Sequence, residues 1–174
     1  MERRGDFGIV IGAIRRVLIA APPGYRDRID WIRRRLPGCN LEYAGVICGM
    51  LNPLDESDWV LKQYTATART WSTVTPVILP GHDDRDSAKA EGLLRKAFVH
   101  AGLSPELVEG IAELAWRQVG FRAGLDLAKA YARPDKLSGA AYHVRVTFSH
   151  GVRGPLAAGA GRYRGFGLFA SENA

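Results

Sequence analysis

Histidine side chains are the groups of this 174-residue chain best suited to move protons near neutral pH. His82 lies in the polar loop PGHDD, which follows an apolar stretch. His143 lies within the alternating stretch YHVRVTF, and His150 comes just after it. His100 falls near the end of a predicted helix, where a positive charge interacts well with the helix dipole. The candidates for general acid–base catalysis are therefore His82, His143 and His150.

The acidic and sulfur-containing side chains do not form a recognisable metal site. Asp83 and Asp84 are adjacent in one loop, where carboxylates are usually solvated, and both would repel a phosphate near His82. Cys39 and Cys48 are the only cysteines, and neither has the Cys or His partner that zinc spacing requires. We therefore expect no metal and no cofactor, and two unpaired cysteines suit a reducing cytoplasm.

A glycine-rich segment, GPLAAGAGRYRGFGLF, spans residues 154–169, with Arg162, Tyr163 and Arg164 in its middle. Glycine permits positive φ and a close backbone approach. Backbone N–H and guanidinium groups suit a phosphate backbone, and Tyr163 is suited to stack on a base. The segment lacks the lysine motif of a P-loop and the long helix of a dinucleotide-binding fingerprint. A turn that merely packs tightly against a sheet explains the spacing equally well.

The charge balance favours an anionic partner. The formal net charge is +6 and the isoelectric point is about 9.6, and arginines are concentrated near both ends of the chain. Nucleic acid is the commonest partner of such a chain, although a mildly basic protein without one fits the charge as well. No apolar run reaches the roughly 18 residues of a membrane span, so we expect no membrane association.

The periodicity of apolar residues predicts an α+β domain with a mainly antiparallel sheet packed on helices, for which a ferredoxin-like (RRM-like) fold is the natural candidate. We predict one domain over residues 1–174, with 39–70 as an irregular insertion. Pro76 indicates an edge strand or a bulge in the second strand. The predicted elements are a strand at 12–20, helices at 25–36, 87–100 and 105–118, a helical turn or irregular segment at 125–131, and strands at 71–79, 142–148 and 165–170.

Four separated blocks resemble one known family. The segment GPLAAGAGRYRGFGLF is similar to the C-terminal glycine-rich signature of the repeat-associated RNA-binding proteins of CRISPR systems, the superfamily of the crRNA-processing endoribonucleases. WSTVTPVIL with His82 behind it, YHVRV at 142–146 and IRRVLIA at 14–20 resemble the corresponding stretches of the fused Cas5–Cas6 proteins of subtype I-U (I-G). The fused proteins are much longer, so we expect this chain to correspond to their Cas6-like C-terminal part.

The resemblance implies a ferredoxin-like domain that binds the repeat hairpin of precursor crRNA, cleaves it without metal by 2′-hydroxyl attack, and stays with the guide in a type I, Cascade-like effector complex of antiviral defence. It favours His82 as the catalytic residue, with His143 and His150 as alternatives. It also implies other complex subunits as partners, a Cas5-like subunit among them. The residues expected to contact RNA are Arg145, Arg153, Gly159, Gly161, Arg162, Tyr163, Arg164, Gly165, Gly167 and Lys89.

Two other interpretations stay open at this point. A non-catalytic subunit that holds the 3′ hairpin of the guide also predicts RNA binding with a steep salt dependence, but no cyclic phosphate product. A ferredoxin-like protein that binds a small anionic ligand at the glycine-rich segment predicts only weak, non-specific affinity for RNA.

Overall fold

The computed structural model describes residues 17–21, 24–55, 57–133 and 136–172. The chain divides into two compact units, residues 1–51 and residues 52–174. No helix among these residues has the length and apolar character needed to cross a membrane.

The first unit contains helix α1 (Arg26–Arg35) and an antiparallel hairpin of strands β1 (Asn40–Tyr43) and β2 (Val46–Met50). Ala44 and Gly45 connect the two strands with positive φ angles of 50° and 77°, as a tight hairpin turn requires. Helix α1 confirms the predicted helix at 25–36. The hairpin corrects the prediction that 39–70 is irregular.

The strand predicted at 12–20 is not found where the structure can test it. Residues 12–16 lie outside the described part of the chain, and residues 17–20 are exposed and form no strand. β-Branched residues favour a strand only when a neighbouring strand satisfies the backbone, and none pairs with 17–20 among the described residues.

The second unit is built on an antiparallel sheet, which contains β3 (Thr67–Thr73), β4 (Val77–Ile78), β5 (Ile111–Arg117), β6 (Ala141–Arg153) and β7 (Phe169–Ser171). The long strand β6 pairs with β3, β4 and β5, and β3 pairs with β7 on its other edge. The described residues of this unit also form the α-helices α2 (Trp59–Thr65), α3 (Ser87–His100) and α4 (Pro105–Glu109). This α+β arrangement is compatible with a ferredoxin-like or RRM-type fold.

Several predicted elements of this unit have different bounds in the structure. The strand predicted at 165–170 forms only as β7, Phe169–Ser171. The strand predicted at 71–79 is broken between β3 and β4, since Pro76 offers no N–H to a ladder. The helix predicted at 105–118 begins at Pro105, where the Ser104 side chain accepts from the Leu107 N–H, but it ends at Glu109, and residues 111–117 form β5. Pairing with β6 overrides the helical propensity of IAELAWR.

The core lies between the sheet and α3. Trp71, Val144, Val146 and Phe148 project from the sheet and are fully buried. The Phe98 ring of α3 meets the Phe148 ring edge to face, with 6.0 Å between centroids and 77° between planes. The apolar face predicted for 142–148 is confirmed by this packing, but the outer face predicted for the alternate residues is wrong at His143, which is fully buried.

Candidate active-site cleft

A cleft of about 270 Å³ lies beside the end of β4. Its walls come from residues 78–82, from residues 136–139 ahead of β6, and from Ala160 in the glycine-rich segment. His82 lines the first wall and is exposed; Lys136 and Ser138 line the second. The cleft therefore combines an imidazole, an ammonium group and a hydroxyl on two separate segments of the chain.

The loop that carries His82 is anchored by the residue behind it. Asp83 is buried, and one of its carboxylate oxygens accepts a 2.6 Å hydrogen bond from the Tyr142 hydroxyl on β6. This hydrogen bond, chief among several causes, lowers the pKa of Asp83, so the carboxylate stays ionised. At the end of the loop next to α3, the Asp86 N–H donates a 2.8 Å hydrogen bond to the Asp83 main-chain carbonyl, which joins the loop to the start of that helix. These bonds restrict the positions available to His82.

Hydrogen bonds to main-chain carbonyl groups hold the opposite wall beside the end of β4. The Leu79 N–H donates to the Ala140 carbonyl at 2.9 Å, and an Arg133 guanidinium N–H donates to the Gly139 carbonyl at 2.7 Å. A side chain at Gly139 would overlap the Leu79 carbonyl oxygen. The segment thus requires glycine here, and the close approach sets the width of the cleft.

Strained backbone is concentrated at these walls. Non-glycine residues seldom adopt positive φ, and those that do cluster at functional sites. Three of the four such residues in the described chain lie next to the cleft: Asp84 (53°) and Arg85 (62°) follow His82, and Lys136 (72°) lines the second wall. Sequence reasoning missed Lys136 and Ser138; the turn-forming stretch KLSG ahead of the best strand was the available signal.

His143 occupies a different environment from His82. It is fully buried, with Nδ1 3.2 Å from the Thr73 hydroxyl and Nε2 3.0 Å from the Asp126 carbonyl. The Tyr131 ring packs edge-on against the imidazole, with 5.9 Å between centroids. Burial lowers the pKa of His143 and keeps the ring neutral. His143 does not line the cleft and has no exposed surface that a substrate could touch.

The remaining predicted site residues lie outside the cleft lining. His150 is exposed near the end of β6, where Nδ1 lies 2.8 Å from the Ser149 hydroxyl. Lys89 forms an ion pair with Asp84 at the start of α3. Arg145 forms a 3.0 Å ion pair with Glu113 of β5, and Arg153 is exposed at the far end of β6.

Most of the glycine-rich segment is clamped to β4 by its own backbone. The Ala160 N–H donates to the Ile78 carbonyl at 2.9 Å, and the Gly167 N–H donates to the Pro76 carbonyl at 2.8 Å. A Cβ at Gly159 would lie 2.7 Å from the Ile78 carbonyl oxygen, and a Cβ at Gly161 would lie 2.7 Å from Phe166 Cβ. These glycines permit close packing, and the Gly167 N–H is already satisfied, so it offers phosphate no free donor.

The middle of the segment projects as a 3-10 turn, Arg162–Arg164. Tyr163 is 68% exposed, and the Arg162 guanidinium lies 4.4 Å from the centroid of its ring. Arg162 also donates to the Gly159 carbonyl at 3.2 Å, which fixes the turn to the clamped part of the segment. Because Ala160 lines the cleft, the turn begins only two residues from it. An exposed aromatic ring and two arginines therefore follow closely along the chain from the cleft wall at Ala160.

The described residues do not include a group of three or more His, Cys, Asp or Glu side chains arranged to hold a metal ion. The chain matches the family model described as CRISPR-associated protein, GSU0054 family, over residues 1–171. No curated protein and no solved structure matches the chain.

Proposed function

Because the chain belongs to the GSU0054 family of CRISPR-associated proteins, we propose that it binds the repeat hairpin of precursor crRNA and cleaves it without a metal ion. The observation that carries this proposal is the cleft lined by His82, Lys136 and Ser138, whose third wall, Ala160, lies two residues along the chain from the Arg162–Arg164 turn. The cleaved guide then stays with the protein in a type I effector complex, where a Cas5-like subunit is the expected neighbour.

The cleavage uses the RNA's own nucleophile. His82 takes the proton of the 2′-hydroxyl as its oxygen attacks the adjacent phosphorus, and the bond from phosphorus to the 5′-oxygen breaks. The products are a 2′,3′-cyclic phosphate and a 5′-hydroxyl, which receives its proton from water at the exposed side of the cleft. The Lys136 ammonium stabilises the extra negative charge on the phosphorane oxygens, and the Ser138 hydroxyl is a further donor.

The surroundings of the cleft suit an extended stretch of RNA. Tyr163 offers an exposed ring on which a base can stack, and Arg162 and Arg164 flank it with positive charge. Asp83 and Asp84 are the nearby acids that would repel phosphate. The Asp83 carboxylate is buried and accepts a hydrogen bond from Tyr142, and the Asp84 carboxylate forms an ion pair with Lys89. Asp83, one of the two acids that counted against His82 in the sequence, thus anchors its loop.

The first test incubates labelled repeat RNA with the purified protein in EDTA. We expect one discrete product ending in a cyclic phosphate, a loss of rate of about 100-fold or more in His82→Ala, and a smaller loss in Lys136→Ala. His100→Ala is the matched control, since His100 is exposed at the end of α3 and lies outside the cleft lining. A His82→Ala variant that cleaves as fast as the control would remove His82 from the reaction.

A non-catalytic, guide-holding subunit is the second candidate. It is favoured by the fact that His82 is the only histidine among the cleft-lining residues, so no second imidazole serves as general acid. Specific binding of the repeat without a cyclic phosphate product would support it. Absence of specific binding would count against both candidates.

A further inference from the structure

Helix α1 has an unusual surface for a helix of its length. It carries five arginines against two aspartates in ten residues, and none of its residues is buried. Arg26 lies 4.0 Å from Asp30, but within the described part of the chain no ion pair involves Arg33, Arg34 or Arg35. The last turn of α1 therefore presents three guanidinium groups that have no acidic partner there.

Exposed aromatic rings accompany these arginines. Trp31 is 59% exposed and Tyr25 is 48% exposed, although large aromatic side chains usually lose much of their surface on folding. The Arg35 guanidinium lies 5.2 Å from the centroid of the Trp31 ring, and the Arg28 guanidinium lies 5.4 Å from that of Tyr25. Each ring keeps much of its surface free while an arginine lies beside it.

We propose that α1 is a binding surface for single-stranded RNA, in which a base stacks on Trp31 and consecutive phosphates contact Arg33, Arg34 and Arg35. The inference rests on the proposed function, because RNA is the partner in both, but it assigns a second contact surface in the first unit. An arginine cluster at a helix C-terminus also favours the helix dipole. That effect alone does not account for three consecutive arginines next to an exposed tryptophan. Stacking on an aromatic ring with flanking cations is how proteins hold single strands without reading their sequence.

The decisive measurement is the salt dependence of binding to a short, unstructured oligouridine, followed by fluorescence anisotropy. The variant replaces Arg33, Arg34 and Arg35 by Gln. Each phosphate contact on a single strand adds about 0.7 to the slope of log affinity against log salt, so we expect the slope to fall by about 2. The matched control replaces Lys62, Lys96 and Lys129 by Gln, three exposed lysines of the second unit. Both triples lower the formal charge of +6 by three, but only the α1 triple is expected to change the slope by this amount.

Trp31 supplies an independent readout. Trp31→Ala is expected to weaken oligouridine binding at least about fivefold, whereas Trp31→Phe keeps a stacking surface and most of the affinity. Trp31→Phe is also expected to lose much of the fluorescence quenching that the oligonucleotide causes in the unmodified protein. Circular dichroism checks that each variant retains its helices.

Two outcomes would overturn the inference: equal slopes in the α1 triple and the lysine triple, or full affinity in Trp31→Ala. Cleavage of the repeat at saturating RNA distinguishes this result from the proposed function. If His82→Ala abolishes cleavage while the α1 triple binds oligouridine normally, the result supports cleavage at the cleft and rejects α1 as an RNA-binding surface. If oligouridine binding depends on α1 while no cleavage occurs, the result supports the RNA-binding surface on α1 and rejects the proposed nuclease activity.

Discussion

At the scale of single residues, the bond from Tyr142 to Asp83 fixes the loop that carries His82. The hydrogen bond lowers the pKa of Asp83 below its usual value of 3.8. A group with a lowered pKa in the folded state contributes stability above its unfolded pKa, and this contribution is lost as the pH falls through the folded pKa. The loop is therefore held most firmly at neutral pH, where the proposed cleavage would take place.

Tyr142→Phe removes this bond and keeps the ring. We expect a loss of about 1 kcal/mol in the free energy of unfolding at neutral pH, together with slower repeat cleavage, because the His82 loop is less restrained. The stability difference from the unmodified protein should shrink as the pH falls from 3.8 through the lowered pKa of Asp83, below which the carboxyl group is protonated in both proteins. Urea unfolding at neutral and acid pH measures it. An equal difference at both pH values would mean that Tyr142 acts through packing instead.

The burial of His143 makes the stability of the folded protein depend on pH. Burial lowers its pKa in the folded state, whereas the unfolded chain binds a proton near 6.5. Below that value the unfolded state holds more protons than the folded state, so stability falls with decreasing pH until the folded pKa is reached.

We expect His143→Phe to be less stable at neutral pH by about 1–3 kcal/mol, because the Asp126 carbonyl and the Thr73 hydroxyl each lose the hydrogen bond to the imidazole. The variant should also show a flatter stability profile just below 6.5. Urea unfolding across this range tests both points. Repeat cleavage at permissive temperature should persist. Loss of cleavage in a variant that is folded would return His143 to the list of catalytic candidates.

At the scale of elements, the glycine-rich segment is held beside β4 by main-chain hydrogen bonds, and its exposed part is the basic turn Arg162–Arg164. Gly167 has a φ of 63°, and a side chain there would overlap the Ala158 carbonyl oxygen. Gly165 has a φ of 82° but open space around the position of a Cβ. The two glycines share the left-handed conformation and differ in steric room, so they form a matched pair.

Gly165→Ala is expected to cost about 1–2 kcal/mol, the strain of the left-handed conformation. Gly167→Ala should cost clearly more, about 3 kcal/mol or above, since the backbone must shift as well. Thermal unfolding of both variants makes the comparison. Equal costs would show that the packing of Gly167 against Ala158 is looser than the structure indicates.

Elements with a local signal could be predicted from the sequence. The alternation of YHVRVTF predicts β6, and Asp86 caps α3 with its side chain accepting from the N–H groups of Ala88 and Lys89. The sequence IAELAWR has no comparable signal, because it forms β5 only through pairing with β6. The hairpin β1–β2 was likewise missed, since its residues are mostly exposed and show no alternating burial. Local propensity is a weak guide where a partner strand decides the outcome.

The candidate site could be predicted only in part, for the same reason. His82 stood out as a histidine in a polar loop behind a strand, and the cleft contains it. Lys136 is distant from His82 in the sequence, and only the pairing of β4 with β6 brings their segments together. His143 alternates with core residues on β6, yet the segment after β5 covers it through the Asp126 carbonyl and the Tyr131 ring. A sequence pattern within one segment does not predict that a different segment will bury one of its residues.

At the scale of the whole molecule, the two units differ in how much surface they bury. The second unit holds the buried core, with Val144, Val146 and Phe148 of β6 fully inaccessible. In the first unit α1 has no buried residue, and β2 has none either. A two-stranded hairpin without a buried face is marginally stable at best. Local opening should therefore cost far less free energy in the first unit than in the second.

Hydrogen exchange of the free protein should show this difference. Amides of β3 and β6 are expected to exchange orders of magnitude more slowly than those of α1, β1 and β2, because their bonds open only when the core does. Addition of oligouridine should slow exchange across α1, since ordering by a ligand stabilises the bound state. The Gln triple at Arg33, Arg34 and Arg35 should lose this slowing but keep the protection of β6. Slow exchange throughout α1 in the free protein would contradict the argument from burial, because it would require a stabilising contact that the exposed surface of α1 does not provide.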